Sequence, residues 1–277
     1  MMMGIVTLTT DFGTTDEYVG VIKGVILRIH SGVTLVDISH LVAPQAVAEG
    51  GQLLGSAFGW FPQGTVHMAV VDPGVGSERA IIAARHSGHT FIAPDNGLLP
   101  IAWAESPPDA IVHVQNSRLF LHPVSNTFHG RDIMAPVAAH LSAGMDMHEL
   151  GPAVAFSQLQ RIEMTSPDRV DASEIIGQIV GADHFGNLRT NIDVDLLHRL
   201  QRHHPGAAMA IMFGPYRILG LSIFYSQVEP DCWVALIGSR NQLELALNGA
   251  SAAERLPEFK GMPVRVVLQS QSSMDIE

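Results

Sequence analysis

An apolar run that ends in an aspartate and a glycine-rich turn places the strongest constraint on the fold of this chain. Residues 66–71 are mostly apolar, and residues 69–79 read AVVDPGVGSER. Such a run, bounded by turn residues, predicts a buried strand with Asp72 at its carboxyl end. Ligands bind at the carboxyl ends of strands in open α/β sheets. The plainer alternative is a surface loop in which Asp72 and Arg79 form an ordinary ion pair.

The first part of the chain alternates β-rich and helical segments. Strands are predicted at 4–10, 33–38, 66–71, 80–84, 90–93, 111–114 and 119–121, and helices at 18–29, 46–60, 96–104 and 133–143. Thr14 and Glu17 read as a capping box ahead of the first helix. The alternation predicts an N-terminal α/β domain with a largely parallel sheet.

The pattern changes after a polar segment that contains Thr165, Ser166, Pro167 and Asp168. Short β-like runs follow at 174–180, 207–213, 216–221, 233–237, 242–247 and 264–268. Short strands with frequent turns predict a smaller C-terminal antiparallel β-barrel. The expected organisation is therefore an α/β domain at 1–162, a linker at 163–173 and a β-barrel domain at 174–277.

Composition narrows the classes of partner and site. The chain has 277 residues, 47% of them hydrophobic, so it can bury a full core. Its formal net charge of −11 argues against nucleic acid and weakly favours a cationic small molecule. A single cysteine, Cys232, excludes a disulfide framework and a cysteine-rich zinc site. No leader pattern or apolar run of about 18 residues is present, so we expect a cytoplasmic protein without membrane contact.

Two further stretches hold candidate functional residues. Residues 127–132 read TFHGRD, and a histidine just ahead of a helix start is favoured in its neutral form. His129 stands out among the 14 histidines only because of these surroundings. Asp11 and Asp16 bracket the first strand-to-helix turn, where acidic residues hold ribose hydroxyls. We favour that role for Asp11. For Asp16 two roles fit equally well: it could hold ribose hydroxyls, or it could interact favourably with the dipole of the first helix.

Common catalytic motifs are missing. The chain contains no GxGxxG, no phosphate-binding GxxxxGK[ST], no GxSxG and no HExxH. A metal site built from Asp11, Asp72, His129 and Asp132 is an alternative, but the spacing of these residues matches no known metal motif.

Six motifs together give the chain a family resemblance. They read TTDFGTTDEYVG, VVDPGVGSER, APDNGLL, TFHGRD, DHFGNLRTN and IGSRNQLELALNGASAAERL, and the similarity extends over nearly the whole chain, from Ile5 to about Val267. In content and order they resemble the S-adenosylmethionine hydroxide adenosyltransferases, which are hydrolases related to the bacterial fluorinase and chlorinase.

The resemblance implies a fold, an assembly and a reaction. Family members join an α/β domain to a β-barrel and form homotrimers, with the site between one subunit's first domain and its neighbour's second. Water or hydroxide attacks C5′ of S-adenosylmethionine and gives adenosine and L-methionine, with no cofactor. The water-activating set falls on Asp72, Arg79 and His129. Halogenating relatives carry Tyr at the position of Asp72 and Ser at that of Gly130, and they have a long loop insertion that is missing here, so the hydrolase branch is implied.

The resemblance also implies which residues bind the substrate. Asp11 takes the ribose hydroxyls with Asp16 close by, and Thr127 and Phe128 line the ribose and C5′ region. Asp183 and Ser239 bind the methionine amino group, and Arg240 binds the methionine carboxylate. Adenine is contacted by Phe185 and Asn187, with Tyr225, Asn248 and Gly249 nearby. Gln45 stands where the halogenases place a Trp.

The chemistry of this reaction needs no metal, because the thioether of methionine leaves as a neutral group. An ordinary aspartate, with a pKa of about 3.9 against about 15.7 for water, would spend on the order of 16 kcal/mol to deprotonate water fully. Either Asp72 takes the proton as the C–O bond forms, or Arg79 and His129 select hydroxide; both routes stay open. Two other functions compete: a nucleoside- or S-adenosylmethionine-binding protein without turnover, and a metal-dependent hydrolase.

Overall fold

The protein is described by a computed structural model over residues 4–104, 106–169, 173–202, 204 and 206–269. The chain divides into two compact units, of which one ends at Met164 and the other begins at Thr165. The linker expected at 163–173 includes residues 170–172, which lie outside the described residues, as do 1–3, 105, 203, 205 and 270–277. The domain and linker boundaries stay predictions.

The first unit is built on a six-stranded sheet. Its strands are β1 (Ile5–Thr10), β2 (Thr34–Ser39), β3 (Val66–Val70), β4 (Ile81–His86), β5 (His89–Pro94) and β6 (Ala110–His113). They lie in the order β2-β1-β3-β5-β4-β6. The pairs β1–β2, β1–β3 and β3–β5 are parallel, and only β4 runs against its two neighbours. The prediction of a largely parallel α/β sheet is confirmed.

Helices cover both faces of this sheet. They are α1 (Tyr18–Ile29), α2 (Val47–Ala57), α3 (Leu98–Ala102) and α4 (Ala135–Ser142). One apolar core joins α1 and α4 to the sheet through residues such as Ile22, Ile26 and Val137. A second core joins α2 and α3 to the other face and includes Leu54 and Leu98. This three-layer arrangement leaves the strand ends as the open edges where loops gather.

Three local predictions in this unit were wrong. Residues 119–121 form no strand; a 3₁₀ turn occupies Ser117–Leu119, because the Asn116 side chain accepts the backbone N–H of Arg118. No capping box precedes α1, since its N-cap is Glu17, which makes no side-chain cap. The helix expected at 133–143 starts earlier, as a π-helical turn over Gly130–Met134 that leads into α4.

The second unit is an antiparallel barrel with two short helices. Its strands are β7 (Asp168–Arg169), β8 (Glu174–Ala182), β9 (Leu188–Asp193), β10 (Ala208–Phe213), β11 (Tyr216–Leu219), β12 (Trp233–Ile237), β13 (Gln242–Leu247) and β14 (Pro263–Gln269), and its helices are α5 (Val194–Arg202) and α6 (Ala252–Arg255). The strand order is β11-β10-β14-β8-β9-β13-β12, with β7 paired to β8. A bridge between Ser222 and Leu236 brings the two ends together, so the barrel is nearly closed and the prediction is confirmed. None of the described helices is both long and apolar enough to cross a bilayer.

Candidate active site

Asp72 and Arg79 form a two-point ion pair at the carboxyl end of β3. The Nε of Arg79 donates to Oδ1 of Asp72 at 2.8 Å, and its Nη2 donates to Oδ2. Only 10% of the Arg79 side chain and 5% of the Asp72 side chain are exposed. Two parallel hydrogen bonds fix the plane of the carboxylate as well as its position. The pair is therefore a rigid, largely buried feature and not an ordinary surface contact.

His129 joins this pair through the same guanidinium. It lies directly before the π-helical turn, and the Nη2 of Arg79 donates to its Nδ1 at 3.1 Å. Burial lowers the pKa of His129, and the positive charge of Arg79 lowers it further. The negative charges of Asp72 and Asp132 raise this pKa, but by less, so it stays below its ordinary value. Since arginine only donates, Nδ1 must be the acceptor, and the neutral ring carries its proton on Nε2. That N–H is the donor left to hold an oxygen nucleophile.

Gly76 brings the two segments that carry these residues into contact. Its φ is +79°, a conformation that favours glycine. A Cβ at this position would lie 2.1 Å from the carbonyl oxygen of Asn126, so any side chain would push the two segments apart. The turn after β3 and the segment before His129 therefore meet backbone to backbone.

Asp11 lies just past the end of β1, at the same edge of the sheet as the end of the parallel strand β3. Its Oδ2 accepts the backbone N–H of Gln45 at 2.8 Å, and Gln45 itself has a φ of +65° and is exposed. Gln45 thus contacts Asp11 through its backbone. Asp16 is exposed and makes no hydrogen bond to the described residues, so both interpretations of it stay open.

Phe128 packs into a small aromatic cluster beside His129. Its ring centroid lies 5.9 Å from that of Phe12 and 5.2 Å from that of Tyr18, both edge-on. Thr127 is exposed, with its hydroxyl 3.2 Å from that of Ser125. Both residues directly precede His129 in the chain, and their place in a wall of the site stays a prediction.

Asp132 has a structural role that competes with metal binding. It is 2% exposed, pairs with Arg131 and accepts the backbone N–H of Ser125 at 2.8 Å. Burial raises the pKa of Asp132, but the hydrogen bonds from Arg131 and Ser125 lower it by more, so the pKa lies below its ordinary value. Within the described residues, no group of three or more His, Cys, Asp or Glu side chains is arranged to hold a metal ion.

The second unit carries its own cavity of about 750 Å³ on the barrel. Six of the predicted substrate-binding residues line it: Asp183, Phe185, Asn187, Tyr225, Ser239 and Gly249. Phe185 is 76% exposed, so its ring is available for stacking. The cavity combines an open aromatic ring with amide and carboxylate groups, which suits a heteroaromatic ligand with polar edges.

Asp183 holds the turn that positions Asn187. Its Oδ1 accepts the backbone N–H groups of Phe185 and Asn187, each at 2.9 Å, and its Oδ2 accepts the Asn187 side-chain amide at 2.9 Å. Gly186 takes φ +84° within this turn, and a Cβ there would lie 2.1 Å from the hydroxyl of Ser251. The turn is thus packed against the start of α6.

Two other predicted residues lie apart from the larger cavity. Arg240 lines a smaller one, of about 130 Å³, next to Asp183 and Ser239. Asn248 lines neither cavity, because its side-chain amide donates to the carbonyl of Val228 at 2.7 Å. Its neighbour Gly249 does line the larger cavity.

Sequence reasoning missed Glu244, Arg189 and Ser251. Glu244 lines both cavities and accepts a 2.6 Å hydrogen bond from the Tyr225 hydroxyl, and burial followed by this hydrogen bond raises the pKa of Tyr225. The available signal was a glutamate at the centre of the apolar strand QLELAL. A carboxylate on a strand whose neighbours are all buried is costly unless it is partnered or functional.

Comparisons with known proteins agree with the two-unit architecture. Residues 6–151 match the SAM hydroxide adenosyltransferase N-terminal domain, and residues 177–265 match the C-terminal domain of that family. An (R)-S-adenosyl-L-methionine hydrolase from Thermus thermophilus is 35% identical over 265 residues, covering 93% of this chain and 97% of the relative.

More distant relatives extend the comparison. A fluorinase from Actinoplanes sp. is 31% identical over 296 residues, covering 95% of this chain and 97% of the relative. A crystal structure from Thermotoga maritima, titled as an uncharacterized conserved protein, superposes with a TM-score of 0.85 at 32% identity and covers 95% of this chain and 99% of that one. With both family domains matched in order along its length, the chain belongs to the SAM hydroxide adenosyltransferase family.

Proposed function

We propose that this chain hydrolyses S-adenosylmethionine at C5′, giving adenosine and L-methionine. The observation that carries the proposal is the hydrogen-bonded set of Asp72, Arg79 and His129 at the carboxyl end of β3, in a chain of this family. A binding protein without turnover would need no such set. The proposal takes the predicted residues in their predicted roles, with Asp11 on the ribose and Phe185 and Asn187 on the adenine.

The reaction is a substitution at carbon. The water oxygen forms a bond to C5′ while the C5′–S bond breaks, its electron pair returns to sulfur, and one proton is released. The sulfonium becomes a neutral thioether, so no departing negative charge has to be neutralised, and the proposal includes neither metal nor cofactor. The task of the protein is to hold the oxygen in line with the C–S bond.

We propose a part for each member of the set. Arg79 uses three donor contacts to fix Asp72 and His129, and its charge favours any negative charge that develops on the attacking oxygen. The Nε2–H of His129 donates to that oxygen, and the carboxylate of Asp72 accepts from it. Both routes fit, namely proton transfer to Asp72 during attack and selection of hydroxide.

Two finer features follow by analogy. Relatives are named for the (R) form of S-adenosyl-L-methionine, and we take the (R) sulfonium as the preferred substrate here. From the resemblance we also take the working assembly to be a homotrimer with sites between subunits. Kinetics on the separated sulfonium epimers test the first feature: a preference for the (S) epimer would contradict it.

Hydrolysis in oxygen-18 water with chelator-treated protein tests the function itself. We expect mass spectrometry to find the label in the 5′-hydroxyl of adenosine, together with unlabelled methionine. Asp72→Asn, Arg79→Leu and His129→Ala should each lower kcat by about 10²–10⁴-fold while the fold is kept. Binding without turnover would support the binding protein instead, and activity restored only by added metal would support the metal-dependent hydrolase.

A further inference from the structure

The loop after β2 is joined by three hydrogen bonds to the turn after β1, which carries Asp11. The backbone N–H of Gly13 donates to the carbonyl of His40 at 2.7 Å, and the backbone N–H of Gln45 donates to Oδ2 of Asp11 at 2.8 Å. The third bond joins the Thr10 hydroxyl to Nδ1 of the His40 ring, 2.8 Å away. Two of the three contacts therefore come from one residue, His40.

The His40 ring lies between this turn and the carboxylate of Asp37. The residue is 6% exposed, and its Nε2 is buried 3.1 Å from Oδ1 of Asp37, without a well-aligned hydrogen bond to the described residues. On the other side of the ring, the Thr10 oxygen that meets Nδ1 also accepts the backbone N–H of Phe12 at 3.3 Å. These contacts connect Asp37 to the residues directly before and after Asp11.

The charge of Asp37 sets the direction of these contacts. Asp37 pairs with Lys23 of α1 at 2.5 Å. Burial raises the pKa of Asp37, but its contacts with Lys23 and His40 lower that pKa by more, so the carboxylate is ionised at neutral pH. A negative charge beside Nε2 favours a hydrogen on that nitrogen, which leaves Nδ1 of a neutral ring as an acceptor for the Thr10 hydroxyl. The Thr10 oxygen then keeps a lone pair for the N–H of Phe12.

Strand β1 carries a second threonine–histidine pair that does not reach the turn. The Thr7 hydroxyl and Nδ1 of His67 lie 2.7 Å apart, and both residues are fully buried. Thr7 precedes Asp11 by four residues, or about 13 Å of strand. The Nε2 of His67 faces another histidine, His89, at 3.2 Å and not a carboxylate. The two pairs share a strand and a type of hydrogen bond but differ in their distance from Asp11, so they form a matched comparison.

We propose that His40 is a positioning residue for substrate recognition: together with Asp37 and Thr10 it holds the turn after β1 so that Asp11 stays aimed at the ribose hydroxyls. The inference rests on the proposed function for the contact between Asp11 and the ribose. His40 touches no substrate group in this scheme and acts only through the turn. Its loss should therefore weaken recognition of the ribose hydroxyls and leave recognition of the adenine unchanged.

Binding of the product nucleoside, measured without turnover, tests this role. The probes are adenosine and 2′,3′-dideoxyadenosine, which lacks both ribose hydroxyls that Asp11 would contact. Isothermal titration calorimetry on the wild-type protein should show about 10-fold or greater preference for adenosine, because hydrogen bonds to a charged carboxylate are lost in the dideoxy form. Thr10→Val and His40→Leu should each lower this preference about 5-fold or more, since a small displacement of a binding group is costly. The affinity for 2′,3′-dideoxyadenosine should stay unchanged.

Matched variants separate positioning from a general effect on stability. Thr10→Ser keeps the hydroxyl and should keep the preference. Thr7→Val removes the same kind of buried hydrogen bond from the same strand, so it should lower the free energy of unfolding in urea without changing the ratio of the two affinities. The side chain of Asp37 is 40% exposed, so Asp37→Asn keeps the test available if the buried variants fold poorly, and it should lower the preference in the same direction.

Two results would overturn the inference. One is an equal change of the affinity ratio in Thr7→Val and Thr10→Val, which would make the effect a matter of stability alone. The other is a wild-type ratio that persists in both Thr10→Val and Asp37→Asn.

The hydrolysis assay distinguishes this failure from failure of the proposed function. Protein that loses its ribose preference in Thr10→Val, but whose wild type releases no adenosine from S-adenosylmethionine, would keep the positioning role and reject the hydrolase. Release of adenosine by a wild type whose ribose preference neither Thr10→Val nor Asp37→Asn changes would keep the hydrolase and reject the positioning role.

Discussion

Arg79 donates to two acceptors that differ in charge, the carboxylate of Asp72 and the neutral ring of His129. Had His129 been protonated, its Nδ1 would carry a hydrogen and would face the guanidinium as a second cation. The observed contact therefore depends on the protonation state of a single histidine. Burial and the charge of Arg79 both keep that state neutral.

This dependence predicts the acid side of the pH profile. The pKa of His129 lies below its ordinary value of 6.5, so the neutral form predominates above pH 6.5 and is lost as the pH falls through the lowered pKa. We expect the loss of kcat/KM that comes from protonation of His129 to have its midpoint below pH 6.5. His148→Gln, at an exposed histidine of the same unit, should leave the profile unchanged. A decline centred above pH 6.5 in the wild type would contradict the assignment.

At the scale of elements, close packing of α2 against α3 supports the end of β3. A Cβ on Gly51 of α2 would lie 2.7 Å from the carbonyl oxygen of Leu98 and 2.9 Å from Cβ of Ile101 on α3. Asn96, just before α3, donates its side-chain amide to the carbonyl of Val71 at 2.8 Å. The position of α3 is thus linked to the residue next to Asp72.

Gly51→Ala should therefore destabilise the protein even though alanine is the better helix former. Overpacking is expected to cost about 1–3 kcal/mol, against a propensity gain of about 1 kcal/mol. Gly24→Ala on α1 is the matched control, since a Cβ there meets nothing within 4 Å, and it should be neutral or stabilising. Urea unfolding measures both free energies, and we expect kcat to fall only in Gly51→Ala. Equal stability changes in the two variants would rule out the packing argument.

The hydrophobic pattern of each segment predicted most helices and strands. It missed two elements whose sequences look polar or charged although some of their residues are buried by the surrounding structure. The strand β9 was missed because LRTNID looks polar, although Leu188, Thr190 and Ile192 alternate inward and are buried. Similarly, α5 was missed because the chain around Leu197 and Leu200 is rich in charge. The resemblance suggested Asp72, Arg79 and His129 as a set, but no spacing rule places residues 50 positions apart within hydrogen-bond distance.

At the scale of the whole molecule, the residues of the proposed function are divided between the two units. The set of Asp72, Arg79 and His129 lies in the first unit, and the cavity lined by Phe185 and Asn187 lies in the second. If the site forms between subunits of a homotrimer, each subunit gives its first unit to one site and its second unit to another. Defects in different units should then compensate in mixed assemblies.

Co-expression of two impaired variants tests this arrangement. Mixed trimers of Asp72→Asn and Asn187→Ala, purified through two different tags, should recover activity at about one third of their sites, because one interface in three joins two intact units. Mixed trimers of Asp72→Asn and Arg79→Leu should recover none, since both defects lie in the first unit. Sites formed within single subunits would give no recovery in either mixture.

The contact at Gly76 has a consequence for how this family can change. Because the backbone of residue 76 lies against the carbonyl of Asn126, a side chain at residue 76 would push the two segments apart and would separate the Asp72–Arg79 pair from His129. We therefore expect the two stretches to change together, although about fifty residues separate them in the chain. A lineage that acquired a different nucleophile would have to exchange residues in both stretches together, and intermediates altered in only one of them would be inactive.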